Sequence, residues 1–147
     1  MKDKIISFLP VAALALIIAA SGVLMFNVSR QEPAIMDELA HIPAGYSYAK
    51  YLDYRLNPEH PPLLKALSGL PLTFLNLNFP LNNENWTTKL NAQWDMGSLF
   101  LYHSGNNADQ IVETARIFPI ILTLLTILLI YFWSREFLGR WWALLPA

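Results

Sequence analysis

Two apolar runs frame this chain, and polar, proline-rich segments lie between them. Ile5 to Phe26 holds 22 residues without a charge. A helix of that length, rising about 1.5 Å per residue, covers the ~30 Å hydrocarbon core of a bilayer. Ile117 to Trp133 is a second, mostly apolar run of 17 residues without a charge, with Pro119 near its start. The pattern predicts transmembrane helices over residues 5–26 and 115–134, joined by a loop over 27–114. A cleaved leader is the competing reading of the first run, since Lys2 and Lys4 form a basic flank and Ala19-Ala20-Ser21 offers a small-residue cut. The run exceeds the ~7–15 residue apolar stretch of a leader, which favours the span. A third apolar run, 141–147, reads as the start of a further membrane helix in a longer protein.

Between the two spans the period turns helical. Ile35, Leu39, Ile42, Tyr46 and Ala49 recur at helical spacing and predict an amphipathic helix over Ala34–Tyr51, broken or kinked at Pro43. Beside a membrane span such a helix lies along the interface, with Tyr46, Tyr48 and Tyr51 at headgroup depth. The Asn57-Pro58 and Pro61-Pro62 pairs predict a turn over Asp53–Pro62, and the second pair suits the start of a new helix. Leu63–Leu77, interrupted by Gly69 and Pro71, predicts a second interfacial or re-entrant helix. After a polar loop over Asn78–Asn85, Trp86–His103 reads as one helix with Trp86, Leu90, Trp94, Leu99 and Phe100 on its apolar side, ended by the turn residues Ser104–Asp109. The expected fold is therefore an all-α membrane protein, with two transmembrane helices flanking an extracytoplasmic loop that carries juxtamembrane helices.

Composition narrows this picture. The 147 residues are 54% apolar and 14% charged, with a net charge of -1 and no cysteine, which excludes a nucleic-acid binder, a disordered tail and a disulfide framework. The charge is unevenly placed: residues 27–114 carry nine acids against five bases, whereas Lys2, Lys4, Arg135 and Arg140 flank the spans. The positive-inside rule then puts the N-terminus in the cytoplasm and the loop outside. A transfer reaction on that side needs a donor carried in the membrane, because nucleotide-activated donors are cytoplasmic.

Candidate chemistry gathers between Met36 and Lys65. Asp37 and Glu38 are paired carboxylates beside a membrane span, where desolvation raises a carboxyl pKa into the range of a general base. The plainer reading is a solvated helix start, with acids favoured at the positive end of the dipole. His41 follows Asp37 by four residues and Glu38 by three, so the three form a candidate divalent-metal group, or His41 is a hydrogen-bonded interface residue. In Glu59-His60-Pro61-Pro62 the prolines fix the direction of Glu59 and His60. Arg55, His60 and Lys65 are three possible cations close to a helix start, an arrangement that suits a phosphate. The alternative is a rigid turn with basic side chains reaching along the interface, and Arg116 carries the same two readings.

The segments M-D-E-L-A-H-I-P-A-G-Y-S-Y, R-L-N-P-E-H-P-P-L-L-K, W-D-M-G-S-L-F-L-Y-H-S-G-N-N-A-D and A-R-I-F-P-I-I-L together resemble the amino-terminal part of GT-C type membrane glycosyltransferases. The nearest resemblance is to the protein O-mannosyltransferase-like group, which includes the lipid A aminoarabinose transferases. It implies an integral membrane enzyme that moves a sugar, with inversion, from a polyprenyl-phosphate carrier to a protein hydroxyl or glycolipid outside the cytoplasm. The family's acidic motif falls on Asp37, as general base, and on Glu38, as its support or a metal ligand. The carrier-phosphate site falls on Glu59, His60, Lys65 and Arg116. Aminoarabinose transferases carry a lysine where His60 stands, and relatives have many more membrane helices and a carboxy-terminal region. The expectation is therefore that the chain alone is inactive. The contrasting expectation is a small non-catalytic membrane protein whose outer loop binds a partner.

Overall fold

The computed structural model describes the backbone of residues 2–147 and the side chains from Phe8 onward, so the basic flank of Lys2 and Lys4 lies outside the described side chains. The described residues are helical, with no strand among them. They divide into two compact units: the residues up to Val28 with Ile120–Ala147, and Ser29–Pro119.

The first unit is built from α1 (Lys2–Gln31) and α7 (Ile117–Trp142). Both are apolar around the whole circumference, and Leu16 and Leu24 of α1 are 72% and 66% exposed. A helix with no polar face requires an apolar surrounding. By length and composition Phe8–Gln31 and Ala108–Trp142 can each cross a membrane. Pro10 lies inside α1 without ending it, as membrane helices tolerate. Leu14, Tyr131 and Ala143 are buried together, with Ile18, Ile127 and Leu128 packed around them. Residues 141–147, expected to open a third membrane helix, follow a kink at Gly139 that separates them from the long helix, and they form a helical turn up to Trp142 and then a turn. Gly139 adopts the left-handed backbone there (φ 77°). Ala143 N–H then bonds Gly139 O at 3.1 Å, and Ala143 packs into the Leu14–Tyr131 cluster.

The second unit is organised on α2 (Met36–Tyr51), in which every residue from Ile42 to Tyr48 is buried. That burial depends on small residues. Against α2 packs α3 (Pro62–Gly69), so tightly that a Cβ on Gly69 would stand 2.0 Å from Gly45 O and one on Gly45 2.1 Å from Lys65 O. From another element, α5 (Gln93–Ser98), Gly97 approaches so closely that its Cβ would stand 1.7 Å from Leu39 O. Pro43 cannot donate to that Leu39 carbonyl, and Gly97 packs closely against it. The helix therefore continues through Pro43 to Tyr51, instead of breaking after His41. The short α4 (Glu84–Thr87) and α6 (Ala108–Ala115) complete the unit, the latter through Ile111, Val112 and Ala115. Phe79 is the centre of an aromatic core, in ring contact with Tyr46, Tyr51, Trp86 and Phe100.

Three expectations change here. Tyr46 and Tyr48 are 2% exposed, so they belong to this core and not to a headgroup belt. Both faces of α2 are covered, because Ala44, Gly45 and Ser47 present backbone-close surface opposite the large side chains. Leu63–Leu77 is not one helix: α3 stops at Gly69 and a single 3₁₀ turn, Pro71–Phe74, follows. Trp86–His103 is also divided. Asn91 takes a left-handed backbone (φ 54°) after α4, and α5 then runs on into a π-helical turn, Leu99–His103. Leu90, assigned to the apolar side, is 93% exposed, whereas Trp86 and Phe100 are buried as expected, together with Ala92, Gln93, Met96, Gly97 and Leu101.

Candidate functional site

Arg116, the residue between α6 and α7, closes the second unit where the chain enters and leaves it. Its Nε donates to Glu38 Oε1 and its Nη2 to Glu38 Oε2, both at 2.7 Å. Nη1 donates to Ser29 O (2.7 Å) and Glu32 O (2.9 Å), and Nη2 also donates to Pro33 O (2.9 Å). All five N–H groups of the guanidinium are thus used. Glu38 Oε2 in addition accepts the Ile35 N–H at 3.0 Å, an orphan donor at the start of α2. The bond to Glu38 raises the proton affinity of Arg116 further, against the effect of burial.

Beside this clasp lies a cleft of about 410 Å³ whose walls include Ile42, Pro61, Leu64, Ala115 and Pro119. Its polar groups are Glu38, His41, His60, Lys65, Ser68 and Arg116. His41 comes from α2 and His60 from the turn before α3; their rings meet edge to face with centroids 5.4 Å apart. Burial lowers the pKa of His41 below 6.5, and the charges of Lys65 and His60 act in the same direction, opposed by Asp37 and Glu59. His41 is therefore neutral near pH 7, with a ring nitrogen able to accept a proton and an N–H able to donate.

Lys65 is the most enclosed of the expected ligands, 4% exposed. Its Nζ donates to Asn57 Oδ1 and His60 O, each at 2.9 Å, and to Asn57 O, and it stands 5.1 Å from the Tyr48 ring centroid. Burial lowers its pKa from 10.5, against the pull of Glu59. Its three protons hold the Asn57–His60 corner in place. Tyr48 adds to that corner by donating to Leu56 O. Glu59 is exposed, and its Oε1 accepts from Asn57 Nδ2 and Gln93 Nε2, both at 3.2 Å.

Glu38, His60, Lys65 and Arg116 therefore share one cleft with His41, whereas Asp37 and Glu59 do not line it. Asp37 is exposed in the first turn of α2, one turn before His41. The Asp37, Glu38 and His41 trio does not form a metal centre: among the described residues no group of three His, Cys, Asp or Glu side chains is placed to hold an ion, and Arg116 occupies both oxygens of Glu38. Asn57, Tyr48 and Gln93 were not anticipated as supports. The Asn57-Pro58 pair signalled a turn, but nothing local indicates that Lys65 fills it. Among known proteins, no family model, no curated protein and no solved structure matches this chain.

Proposed function

We propose that this chain is the amino-terminal region of a GT-C type glycosyltransferase, and that Ser29–Pro119 lies outside the cytoplasm and holds the phosphate end of a polyprenyl-phosphate-linked sugar. One observation carries the reading: His41 and His60, from separate elements, meet in a cleft whose walls are otherwise largely apolar. A lipid phosphate needs hydrogen-bond donors for its oxygens and apolar surface for its first isoprene units, and this cleft offers both. Leu63, Leu70 and Phe74, on α3 and the turn after it, are exposed apolar side chains that suit the approach of a prenyl tail.

In this reading His60 and neutral His41 donate to the phosphate oxygens, and Lys65 fixes the corner that presents His60. Asp37 is the general base. As the acceptor oxygen attacks the anomeric carbon, the C–O bond to the phosphate breaks with inversion, polyprenyl phosphate leaves, and the hydroxyl proton passes to the Asp37 carboxylate. Glu38 and Arg116 position the start of α2, and with it Asp37, and take no proton themselves. A transfer assay in membranes, on the longer protein that carries this region and with a defined polyprenyl-phosphate sugar, tests the assignment. Asp37→Asn abolishes turnover while leaving insertion and lipid binding intact; ordinary turnover in that variant removes Asp37 from the role.

A further inference from the structure

The candidate cleft contains two permanent cations, and neither has a donor to spare. Arg116 gives its N–H groups to Glu38 and to the Ser29, Glu32 and Pro33 carbonyls. Lys65 gives its three protons to Asn57 Oδ1, Asn57 O and His60 O. The side chains lining the cleft that make no hydrogen bond to the protein, among the described residues, are the imidazoles of His41 and His60 and the hydroxyl of Ser68. Those three groups decide how an anion is held. The two rings stand edge to face, 5.4 Å between centroids, so one phosphate group reaches both.

A neutral imidazole carries one N–H and one bare lone pair, and an anion gains from only the first. An added proton turns the lone pair into a second, charged donor, and a charge-assisted bond is roughly twice as strong as a neutral one. In the free protein that proton is held off. Burial disfavours a charge on His41, and Lys65 and His60 act with it, against Asp37 one turn earlier on α2 and Glu59 beside His60. Glu38 also faces the cleft from α2, but its charge is matched by Arg116 at the α6–α7 junction. A bound phosphate brings a negative charge to the rings and reverses that balance. Two charged rings at this separation would repel each other, so the uptake stops at one proton. We infer that the His41–His60 pair takes up one proton as it binds a phosphodiester, so that a fall in pH loads the carrier site and a rise releases it. The proton belongs to the pair, with one ring charged and the other a neutral donor. Ser68 adds a donor that does not change with pH. The inference rests on the carrier site proposed above and supplies its regulation.

The experiment is titration calorimetry on the whole chain in nanodiscs with farnesyl methyl phosphate, blanked against nanodiscs without protein. This diester keeps one charge throughout, whereas a phosphate monoester would itself titrate near about pH 6. Repeating each titration in two buffers of different ionisation enthalpy counts the protons taken up. The expected result is an affinity that rises toward about tenfold per pH unit as pH falls through the histidine range, with close to one proton bound per diester. His41→Gln/His60→Gln keeps an amide donor at each position and loses both the uptake and the pH dependence. His103→Gln, on the exposed end of the Leu99–His103 turn, keeps both. Binding without proton uptake overturns the inference, as does uptake that persists in the double variant, which would assign it to Asp37 or Glu38. Either outcome leaves the carrier site standing, since the diester still binds. No binding to the wild type at any pH sinks the carrier site and the inference with it.

Discussion

Helices α1 and α2 are both written largely in apolar residues, yet one exposes leucines around its circumference and the other buries seven consecutive residues, Ile42 to Tyr48. What separates them is the small residue. The two units meet their packing needs differently. In the first, Gly22 has room, since a Cβ there would meet Leu124 at 3.5 Å, an ordinary contact. In the second, Gly45, Gly69 and Gly97 are the points through which α3 and α5 reach the α2 backbone. A helix in lipid needs no surrounding core, whereas a polar unit carrying a site has to build one.

The contrast is broken most severely at Gly97. Gly97→Ala drives a methyl group into the Leu39 carbonyl and lowers stability by about 3 kcal/mol or more, at the upper end for overpacking. Gly22→Ala changes it by less than about 1 kcal/mol, because the added Cβ removes backbone entropy from the unfolded chain and meets no obstacle. Denaturant titration of the two variants in the same detergent reads the difference directly. Equal losses at the two sites would remove the distinction between the units.

Next in size is the clasp. Arg116→Ala leaves Glu38 enclosed without its partner and costs about 3 kcal/mol. Glu38→Ala/Arg116→Ala together cost less than the sum of the single changes, since both act on one interaction. Full additivity in that cycle would mean that the two side chains do not work as a pair.

Lys65 sharpens the comparison through pH. Its pKa is lowered in the folded state, so between that value and 10.5 the unfolded chain binds more protons. Its contribution to stability therefore rises as pH climbs through that window, and is a penalty below it. Buried Tyr46 and Tyr48, whose pKa values are raised above 10.0, act in the opposite direction at higher pH. Comparing wild type with Lys65→Met isolates the lysine: the stability difference moves in favour of wild type as pH rises from the lowered folded value toward 10.5. A difference flat with pH would show that Lys65 titrates as it does in the unfolded chain. His41 follows the same sign at lower pH. Stability is lost as pH falls from 6.5 through its lowered folded value, and His41→Gln removes that part of the acid sensitivity. A smaller effect than at the clasp is expected from Tyr48→Phe, which deletes the bond to Leu56 O and costs about 1 kcal/mol in the same titration.

The sequence disclosed what continuous runs can disclose. Both long helices are visible in Ile5–Phe26 and Ile117–Trp133, and the turn at Asn57–Pro62 in its prolines. Two properties escaped. The burial of α2 was hidden because glycine, alanine and serine score as neither face of an amphipathic pattern, although here they mark where backbones touch. The Glu38–Arg116 clasp was hidden because its partners are 78 residues apart, beyond any periodicity. The helix over Trp86–His103 was misjudged for a related reason: its break rests on the left-handed Asn91, while Leu90 carries an apolar signal with no core to match it. The candidate cations were found by type, but their commitments were not. Lys65 and Arg116 each hold the protein itself.

The most direct test of the account is the affinity of the whole chain, in nanodiscs, for undecaprenyl phosphate. The account predicts saturable binding that is absent for the phosphate-free polyprenol and weakened about tenfold or more in His60→Ala, the loss of one contact to a charged group. Equal affinity for phosphate and alcohol, or unchanged affinity in His41→Ala/His60→Ala, would contradict it.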